Sequence, residues 1–561
     1  MFVLATAGHV DHGKSTLLHR LTGMWPDRLA EEQRRGLTID LGFVWTELAG
    51  RRLAFVDVPG HERFVANMLA GVGPVPAVVF VVAATEGWMP QSEEHLAALD
   101  ALRVRHGLLV ISKADLADPG PAVAQATERF AATSLAGVPV AIGTDLERVR
   151  AELVALTDRL PPPDPHADVR LWVDRSFTVR GAGTVVTGTL AAGTVRVGDE
   201  LEHAGRRVTV RGLQSLGRNE IQVGAVARVA LNLRGVDRRD IGRGDTVRTP
   251  GAWRDTAEID VALRGPGTAE DTLHSQLVLH VGSAAVPVRV RRLGPAAARL
   301  RLARPLPLRV ADVGLLRDPG KHRIAAGVEV LDVRPPELRR RGATGSAPAP
   351  HIARADELRA MGAPARGQRV GDWVVDPQWW AARRDEAAAQ VRRWAGEHDI
   401  AAGMPLETLR RQVGLPAAEL VPKLLQGTGF EVADGLVRAP GAGLPARVDQ
   451  AVREVEAWLA AEPFRAPEAD ELAGLGLGPR ELAAAVRTGR LTRIADGVVL
   501  GPDALARAAG VLAGLPQPFT VSEARRALGT TRRVAVPLLE QLDARRVTRR
   551  AGDGTRVLIA D

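Results

Sequence analysis

An eight-residue segment near the start of the chain carries the residue types that bind phosphate groups. Gly8 to Ser15 reads GHVDHGKS and fits the pattern G-x-x-x-x-G-K-[ST]. In that pattern backbone N–H groups cradle phosphates at a helix N-terminus, the lysine reaches the β- and γ-phosphates, and the final hydroxyl ligates Mg²⁺. Residues 2–5 predict a core strand and residues 16–21 a helix, which is the context that the motif needs. A glycine-rich turn that matches by chance is the alternative.

Two later segments suit the metal and the attacking water. Thr38 lies in RRGLTIDLG, where a loop closing on the γ-phosphate would offer its hydroxyl to Mg²⁺. FVDVPGHERF follows a predicted strand, so Asp57 is placed to hold Mg²⁺ through water and the Gly60 N–H to touch the γ-phosphate. His61 follows where a water-positioning group is needed. Taken singly, Asp-x-x-Gly is common and a lone histidine is more often only a satisfied polar residue. The order and spacing after a phosphate loop favour the site.

A third segment predicts which base is bound. VISKADL ends a predicted strand with Ser112, Lys113 and Asp115. A carboxylate at this position accepts hydrogen bonds from guanine N1–H and N2–H₂, and adenine offers no such pair. Asp115 therefore predicts GTP rather than ATP, although Lys-x-Asp in a loop is elsewhere just solvated charge.

Composition places the chain among ordinary globular proteins. Its 561 residues correspond to about three or four domains, and 45% are hydrophobic and 25% charged. No apolar run is long enough to span a bilayer, and charged residues interrupt the apolar start, so neither a membrane protein nor a signal peptide is expected. The absence of cysteine excludes disulfides and thiolate sites and fits a cytoplasmic protein. A net charge of +8 suggests an anionic partner such as nucleic acid, although GC-rich coding would also enrich arginine.

The pattern of apolar and polar residues changes twice along the chain, and these changes predict a multidomain protein. Residues 1–162 alternate apolar runs with helical stretches, which predicts an α/β domain with a mostly parallel sheet. A proline-rich linker follows. Residues 168–250 and 251–335 read as strands between glycine-rich turns, which predicts two antiparallel β-barrels.

Beyond a second linker, helical segments followed by a hairpin signal recur. Asp-Gly pairs between β-prone residues stand at 434–435, 496–497 and 553–554, and Gly-Asp stands at 371–372. Helices followed by a two-stranded wing describe winged helices, which we expect at 345–380, 381–440, 445–503 and 504–561. A generic helical tail with incidental turns is the alternative, and the first unit is the least clearly marked.

The four segments GHVDHGKS, RGLTID, DVPGH and K-x-D together resemble the translational GTPases of the elongation factor Tu class. RGLTIDLG, HERFVANMLAGVG and the winged-helix tail resemble in particular the selenocysteine-specific SelB family, over essentially the whole chain. The resemblance implies bound GTP or GDP with Mg²⁺, and hydrolysis stimulated by the ribosome with His61 orienting the water. Val10 and Leu37 match an apolar pair that gates this histidine. The implied ligands of the nucleotide are Asp11, His12, Gly13, Lys14, Ser15, Thr16, Gly60, Lys113 and Asp115, and those of the metal are Ser15, Thr38 and Asp57.

Two departures from the family pattern concern the guanine. Ser112 stands where the family has asparagine, so an amide that helps hold the base and the loop is lost and weaker guanine affinity is expected. The usual S-A-[LK] loop is replaced by VPVAIGTDLERV, with Ala141 and Ile142 near the expected place.

The resemblance also implies a pocket for the aminoacyl end of tRNA between the GTPase domain and the first barrel. Selenocysteine is largely anionic at neutral pH, so a selective pocket should offer fixed positive charge, which a neutral serine would leave unpaired. Arg180 and Arg234 are the candidates, with Asp40 as an orienting carboxylate. Ordinary surface arginines on a barrel are the alternative.

The last winged helix is rich in arginine. Thr520 or Ser522 is expected to cap a short helix, and Val536, Leu539 and Leu542 to face inward from a second one. The resemblance implies that this module binds the selenocysteine insertion hairpin of the mRNA, and a solvated arginine face is the alternative. The candidate contacts are Arg525, Arg532, Arg533, Arg549, Arg550 and Arg556.

The sequence therefore predicts a GTP-dependent carrier that delivers selenocysteyl-tRNA to the ribosome at recoded UGA codons. Its expected partners are that tRNA, the mRNA hairpin and the ribosome, with no membrane, and a monomer is expected. The alternatives are a general elongation or initiation GTPase for another tRNA, or an RNA-binding regulator with an inactive nucleotide site.

Overall fold

A computed structural model describes residues 1–26, 38–181, 183–265, 273–337, 351–398, 403–439 and 444–559. The chain divides into two units, one of residues 1–366 with 372–374 and the other of residues 367–371 with 375–561. Among the described residues, no helix combines the length and the hydrophobicity that a bilayer-spanning segment requires.

The first unit begins with a six-stranded sheet, as the alternating apolar runs predict. The strands are β1 Phe2–Ala7, β2 Gly42–Leu48, β3 Arg51–Asp57, β4 Ala77–Ala83, β5 His106–Ser112 and β6 Val140–Ile142. Their order is β2-β3-β1-β4-β5-β6, and every pairing is parallel except that of β2 with β3. All seven residues of β4 are buried because successive side chains enter two cores, with Phe80 in one and Val79 and Val81 in the other.

Five helices cover this sheet. They are α1 Lys14–Thr22, α2 Val65–Val72, α3 Pro90–Ala101, α4 Gly120–Phe130 and α5 Leu146–Arg159, with a 3₁₀ turn at Glu62–Phe64. Because β1, β3, β4 and β5 run in one direction, the segments that follow them meet at one edge of the sheet. Ligands of open α/β sheets bind at this edge.

The next strands form the first barrel, eight of them in one antiparallel sheet and two in a separate antiparallel pair. They are β7 Arg170–Trp172, β8 Arg175–Val179, β9 Gly183–Leu190, β10 Thr194–Arg196, β11 Glu200–His203, β12 Arg206–Ser215, β13 Arg218–Glu220, β14 Gln222–Gly224, β15 Ala227–Arg234 and β16 Thr246–Arg248. Alternating residues of β15 are buried, and its leucines and valine join one core.

The second barrel is closed, in the order β17-β20-β19-β18-β21-β22. Its strands are β17 Arg254–Arg264, β18 Gln276–Val281, β19 Ala284–Gly294, β20 Ala297–Leu308, β21 Val313–Asp318 and β22 Arg323–Asp332. Closure leaves no exposed edge, and the inward residues fill a single core. Two antiparallel barrels are thus present, as predicted.

The remaining elements alternate helices with short strand pairs. They are β23 Ile352–Arg354, α6 Ala355–Met361, β24 Gln368–Val370, β25 Trp373–Val375, α7 Pro377–Glu397, β26 Met404–Pro405, α8 Leu406–Gln412, α9 Leu420–Leu425, β27 Glu431–Ala433, β28 Leu436–Arg438, α10 Ala446–Ala461, α11 Ala469–Gly474, α12 Pro479–Arg487, β29 Thr492–Ala495, β30 Val498–Leu500, α13 Ala504–Ala513, α14 Val521–Ala527, α15 Arg532–Ala544, β31 Thr548–Arg550 and β32 Arg556–Leu558. The three predicted Asp-Gly turns separate β27 from β28, β29 from β30 and β31 from β32.

The modules that end in β30 and β32 share one hydrophobic core, which runs from Val448 to Leu542. Thr520 caps α14 and forms a capping box with Glu523, as the sequence predicts for this threonine. The inward stripe of α15 differs from the prediction. Val536 is only half-buried, and Val534 and Leu538 are buried beside the predicted Leu539 and Leu542.

Candidate functional site

The phosphate loop connects β1 to α1 in a conformation that depends on glycine. Gly8 has φ 126°, and a Cβ at this position would lie 2.1 Å from the carbonyl oxygen of Val81. Gly13 has φ 80° and is the N-cap residue of α1. Both values fall in the left-handed region, where side chains other than hydrogen are strained. The two fixed glycines of the motif are therefore explained by backbone geometry.

The Lys14 ammonium is held across its own loop. Its Nζ donates to the carbonyl oxygens of Gly8, at 2.9 Å, and of His9, at 2.7 Å. The residue is only 6% exposed, so the positive charge is fixed at the mouth of the loop. This position suits contact with phosphate oxygens, as the motif predicts.

The three predicted metal ligands lie together. Ser15 Oγ donates to Asp57 Oδ2 at 2.6 Å and lies 3.2 Å from Thr38 Oγ1. Thr6 Oγ1 donates to the other carboxylate oxygen, Oδ1, at 2.7 Å and orients the carboxylate, which is fully buried. Two hydroxyls and one carboxylate are hard oxygen donors that suit Mg²⁺ with water completing its shell. The donor set therefore fits the implied ion.

Gly60 packs directly on the phosphate loop. A Cβ at Gly60 would lie 2.5 Å from Lys14 Nζ, 2.6 Å from Val10 N and 2.9 Å from His9 C. Next to it, the half-buried His61 accepts a hydrogen bond from the Arg63 N–H on Nδ1, at 3.2 Å. Of the predicted gating pair, Val10 lies in the loop and is half-buried, and Leu37 lies outside the described residues.

Ser112 keeps one of the roles expected to be lost with asparagine. Its Oγ donates to the carbonyl oxygen of His12, at 2.6 Å, and so ties the base loop to the phosphate loop. Lys113 Nζ donates to Glu86 Oε1 at 3.4 Å, and Asp115 is exposed at the end of the same loop. The serine hydroxyl therefore links the two loops in the absence of the amide, and the weaker guanine affinity expected from the loss of that amide stays a prediction.

The diverged loop after β6 still closes on the sheet. Ala141 and Ile142 belong to β6, and the N–H of Gly143 donates to the carbonyl oxygen of Ile111 at 2.7 Å. The carbonyl oxygen of Gly143 accepts from the Arg20 guanidinium on α1 at 3.2 Å. These contacts bring the loop to the edge of the sheet that carries the phosphate loop.

Two buried histidines, one on α3 and one within the phosphate loop, hold this loop in place by hydrogen bonds. The Gly8 N–H donates to Nδ1 of His95 on α3, at 3.0 Å, and this requires the imidazole to be neutral at that nitrogen. His12 Nδ1 lies 3.3 Å from the carbonyl oxygen of Val81 and donates to it. Burial lowers the pKa of His95 to about 3 and the pKa of His12 to about 4. Both side chains therefore hold the loop without adding charge to it.

The three candidates for the selenocysteine pocket are not joined by contacts in the structure. Arg180 is the residue that follows β8, and Arg234 is the last residue of β15. Both side chains are exposed. Asp40 is half-buried and binds two other arginines, Arg175 and Arg243. Burial tends to raise the pKa of Asp40, but hydrogen bonds and charge from these guanidinium groups outweigh it and hold the pKa below its ordinary value. The predicted role of Asp40 as the orienting group of Arg180 and Arg234 is corrected accordingly.

The predicted RNA-binding arginines fall into two groups. Arg556 is 4% exposed and its Nε donates to Asp543 Oδ2 at 2.8 Å, so its place among the RNA contacts is corrected to a structural one. Arg533 lies 3.2 Å from Glu468 and donates to two carbonyl oxygens of the preceding module. The other four are half-buried or exposed at the end of α14, the start of α15 and the wing, and they are Arg525, Arg532, Arg549 and Arg550.

Sequence reasoning missed Thr6, Arg175 and Arg243. Thr6 is a fully buried hydroxyl in an otherwise apolar strand, and this contrast was a usable signal because a buried hydroxyl needs a partner. The two arginines carry no such local signal, since the chain is rich in exposed arginine.

Comparisons with known proteins agree with this geometry. The model of the elongation factor Tu GTP binding domain matches residues 1–162, and that of elongation factor Tu domain 2 matches residues 183–248. The winged-helix model of elongation factor SelB matches residues 511–557. A crystal structure of a bacterial selenocysteine-specific elongation factor, EF-Sec, has the same fold, with a TM-score of 0.73 over 100% of both chains and 24% identity.

Two curated relatives are similar to this chain in sequence. A selenocysteine-specific elongation factor of Desulfomicrobium baculatum is 36% identical over 360 residues, a match that covers 60% of this chain and 57% of the relative. The chain thus spans little more than half the length of that relative. Elongation factor Tu 2 of Streptomyces avermitilis is 35% identical over 281 residues, covering 44% of this chain and 72% of the relative. The chain therefore belongs to the translational GTPases of the elongation factor Tu type, and it is similar in sequence to selenocysteine-specific elongation factors.

Proposed function

We propose that this protein binds GTP with Mg²⁺, carries selenocysteyl-tRNA to the ribosome at recoded UGA codons and hydrolyses the GTP there. The observation that carries the proposal is the convergence of Ser15, Thr38 and Asp57 beside a phosphate loop whose lysine is fixed at its mouth. A regulator with an inactive nucleotide site would have no need to keep these three oxygens within hydrogen-bond distance.

The residues of the chain divide the work of hydrolysis. Backbone N–H groups of the phosphate loop and the Lys14 ammonium bind and orient the phosphates. Ser15, Thr38 and Asp57 would hold Mg²⁺, which when bound neutralises charge on the phosphate oxygens. His61 orients the attacking water from its loop beside Gly60. Since little covalent chemistry is needed, positioning and charge account for most of the rate.

Guanine recognition rests on Asp115, with Ser112 holding the base loop against the phosphate loop. Asp115 can accept hydrogen bonds from guanine N1–H and N2–H₂, and adenine offers no such pair of donors. We therefore expect the chain to select guanine nucleotides in spite of the serine.

The terminal winged helix supplies the proposed contact with mRNA. Arg532, Arg549 and Arg550 are exposed on one helix start and one wing, where they suit phosphates and unpaired bases of an RNA hairpin. Tethering by the hairpin would raise the concentration of the loaded factor near one codon. A general elongation factor has no evident use for this arm, which favours the selenocysteine-specific function over delivery of other tRNAs.

A binding comparison tests the proposal directly. The full chain with GTP and Mg²⁺ is titrated with selenocysteyl-, seryl- and cysteinyl-tRNA, and then with GDP in place of GTP. We expect preference for selenocysteyl-tRNA in the presence of GTP. Equal affinity for the three tRNAs would favour a general translation factor, and no binding of GTP or GDP would favour the RNA-binding regulator.

A further inference from the structure

Four consecutive residues, Thr38 to Leu41, join the metal site to the first barrel. Thr38 lies beside Ser15, as described above, while the next three residues contact side chains from elsewhere. The carbonyl oxygen of Ile39 accepts from Asn67 Nδ2 at 2.9 Å. The carbonyl oxygen of Leu41 accepts from the Arg175 guanidinium at 2.5 Å. The segment is therefore held at every residue from the metal site onward.

Asp40 is the centre of this arrangement. Its Oδ2 accepts from Arg175 Nε at 3.1 Å, and its Oδ1 accepts from Arg243 at 2.5 Å. Both arginines belong to the first barrel. The side chains of Asp40, Arg175 and Arg243 are 25%, 35% and 29% exposed, so water only partly screens the two pairs.

Arg243 also reaches the helix that follows the His61 loop. Its NH1 donates to Asn67 Oδ1 on α2 at 2.5 Å, and its Nε donates to the backbone carbonyl oxygen of Asp174 at 2.8 Å. The last contact anchors the guanidinium to the barrel itself. One barrel side chain thus binds both GTPase segments that the proposed function assigns to Mg²⁺ and to water, the segment that bears Thr38 and the helix after Gly60 and His61.

We propose that Arg243, with Arg175, is a positioning residue of the GTP site, which fixes Thr38 for the metal from the first barrel. This inference rests on the proposed function and deepens it. In GTPases the loop that carries this threonine is ordered by the γ-phosphate and Mg²⁺ and released after hydrolysis. The arginine contacts therefore favour the GTP-bound arrangement over the GDP-bound one, and by linkage bound GTP strengthens the seating of the barrel.

Nucleotide affinities of the full chain test this role. Dissociation constants for a non-hydrolysable GTP analogue and for GDP are measured with Mg²⁺ for the wild type and Arg243→Gln. We expect about a tenfold loss for the GTP analogue, the scale of one charge-assisted hydrogen bond, with the affinity for GDP unchanged within about twofold. Arg211→Gln is the matched control, because the Arg211 side chain is exposed on β12 of the same barrel and makes no hydrogen bond with the described residues.

Two further variants guard against a purely structural effect. Asn67→Ala removes the contact with Arg243 from the GTPase side, together with the hydrogen bond to the Ile39 carbonyl, and leaves the barrel intact. It should also weaken binding of the GTP analogue selectively. Asp40→Asn combined with Arg243→Gln should lose less affinity than the sum of the losses in the two single variants, since the two side chains share one contact.

An equal loss of GTP-analogue and GDP affinity in Arg243→Gln and Asn67→Ala would overturn the inference, as would no loss in either. In both cases the proposed function would still hold if the wild type preferred selenocysteyl-tRNA to seryl- and cysteinyl-tRNA. A wild type that binds neither nucleotide would reject the proposed function and this inference together.

Discussion

Gly60 offers the sharpest test of how the nucleotide site is built, and the change is Gly60→Ala. The added Cβ would meet Lys14 Nζ at 2.5 Å and two backbone atoms of the phosphate loop, at 2.6 and 2.9 Å. The ammonium cannot move aside freely because it donates to the carbonyl oxygens of Gly8 and His9. The backbone atoms cannot move without distorting the loop.

The expected magnitude follows from these contacts. Forcing an extra carbon into a packed site costs about 1–3 kcal/mol. The loop from Asp57 to Gly60 can relieve the clash by moving away from the phosphate loop, which removes the Gly60 N–H from the γ-phosphate. We therefore expect the affinity for a GTP analogue to fall by about 5- to 140-fold, the same energy at 1.4 kcal/mol per decade, while GDP binding falls much less.

Fluorescent-nucleotide titration and thermal unfolding measure the two effects separately. Gly510→Ala is the control, because a Cβ at Gly510 meets nothing within 4 Å inside helix α13. Alanine there should stabilise the fold by about 0.5–1 kcal/mol without changing nucleotide affinity. If Gly60→Ala binds the GTP analogue as tightly as the wild type, the packing of this loop on the phosphate loop is not what positions the γ-phosphate.

Three further predictions concern other parts of the chain. Ser112→Ala removes the hydrogen bond to His12 and should weaken the binding of both GTP and GDP by about 1 kcal/mol, or roughly fivefold. Unchanged nucleotide dissociation rates would contradict this prediction. Arg556→Ala removes the guanidinium that pairs with Asp543, which keeps its hydrogen bond from Thr548, and should destabilise the terminal module by about 1.5–3 kcal/mol. Arg532→Ala with Arg549→Ala should instead leave its unfolding unchanged but weaken hairpin binding and flatten its salt dependence. Burial lowers the pKa of His95 from 6.5 to about 3, so between these pH values the unfolded chain binds one more proton than the folded chain. The contribution of His95 to the free energy of unfolding should therefore be full above pH 6.5 and fall as the pH drops. Urea unfolding from pH 7 to 5 should show this slope, by at most about 1.4 kcal/mol per pH unit from this group, and His95→Gln should reduce it.

Much of the candidate nucleotide site could be predicted from the sequence because its residues lie in short motifs. The phosphate-loop pattern GHVDHGKS lies within eight residues, and Asp57 ends a strand that Gly60 and His61 follow closely. The alternation of apolar runs likewise predicted the sheet and the barrels, since burial follows the period of each element, and Asp-Gly pairs predicted the hairpin turns.

Side-chain partners that are far apart in the sequence could not be predicted in the same way. Asp40 was paired in prediction with Arg180 and Arg234, but the structure pairs it with Arg175 and Arg243, which are 135 and 203 residues away in the sequence. Arg556 looks like its exposed neighbours in the sequence, but it is buried against Asp543. Nothing in the local pattern distinguishes one arginine from another in a chain so rich in them.

The sequence by itself determined that the phosphate-loop pattern, the candidate metal-binding oxygens and the candidate guanine-binding carboxylate follow one another along the chain, most of them at the ends of predicted strands. Only the tertiary structure decided which barrel arginines hold the Thr38 segment and which arginines of the last module remain exposed. The physical reason is that backbone conformation is set by neighbouring residues, whereas a long charged side chain takes whichever partner the packing of distant elements brings within its reach.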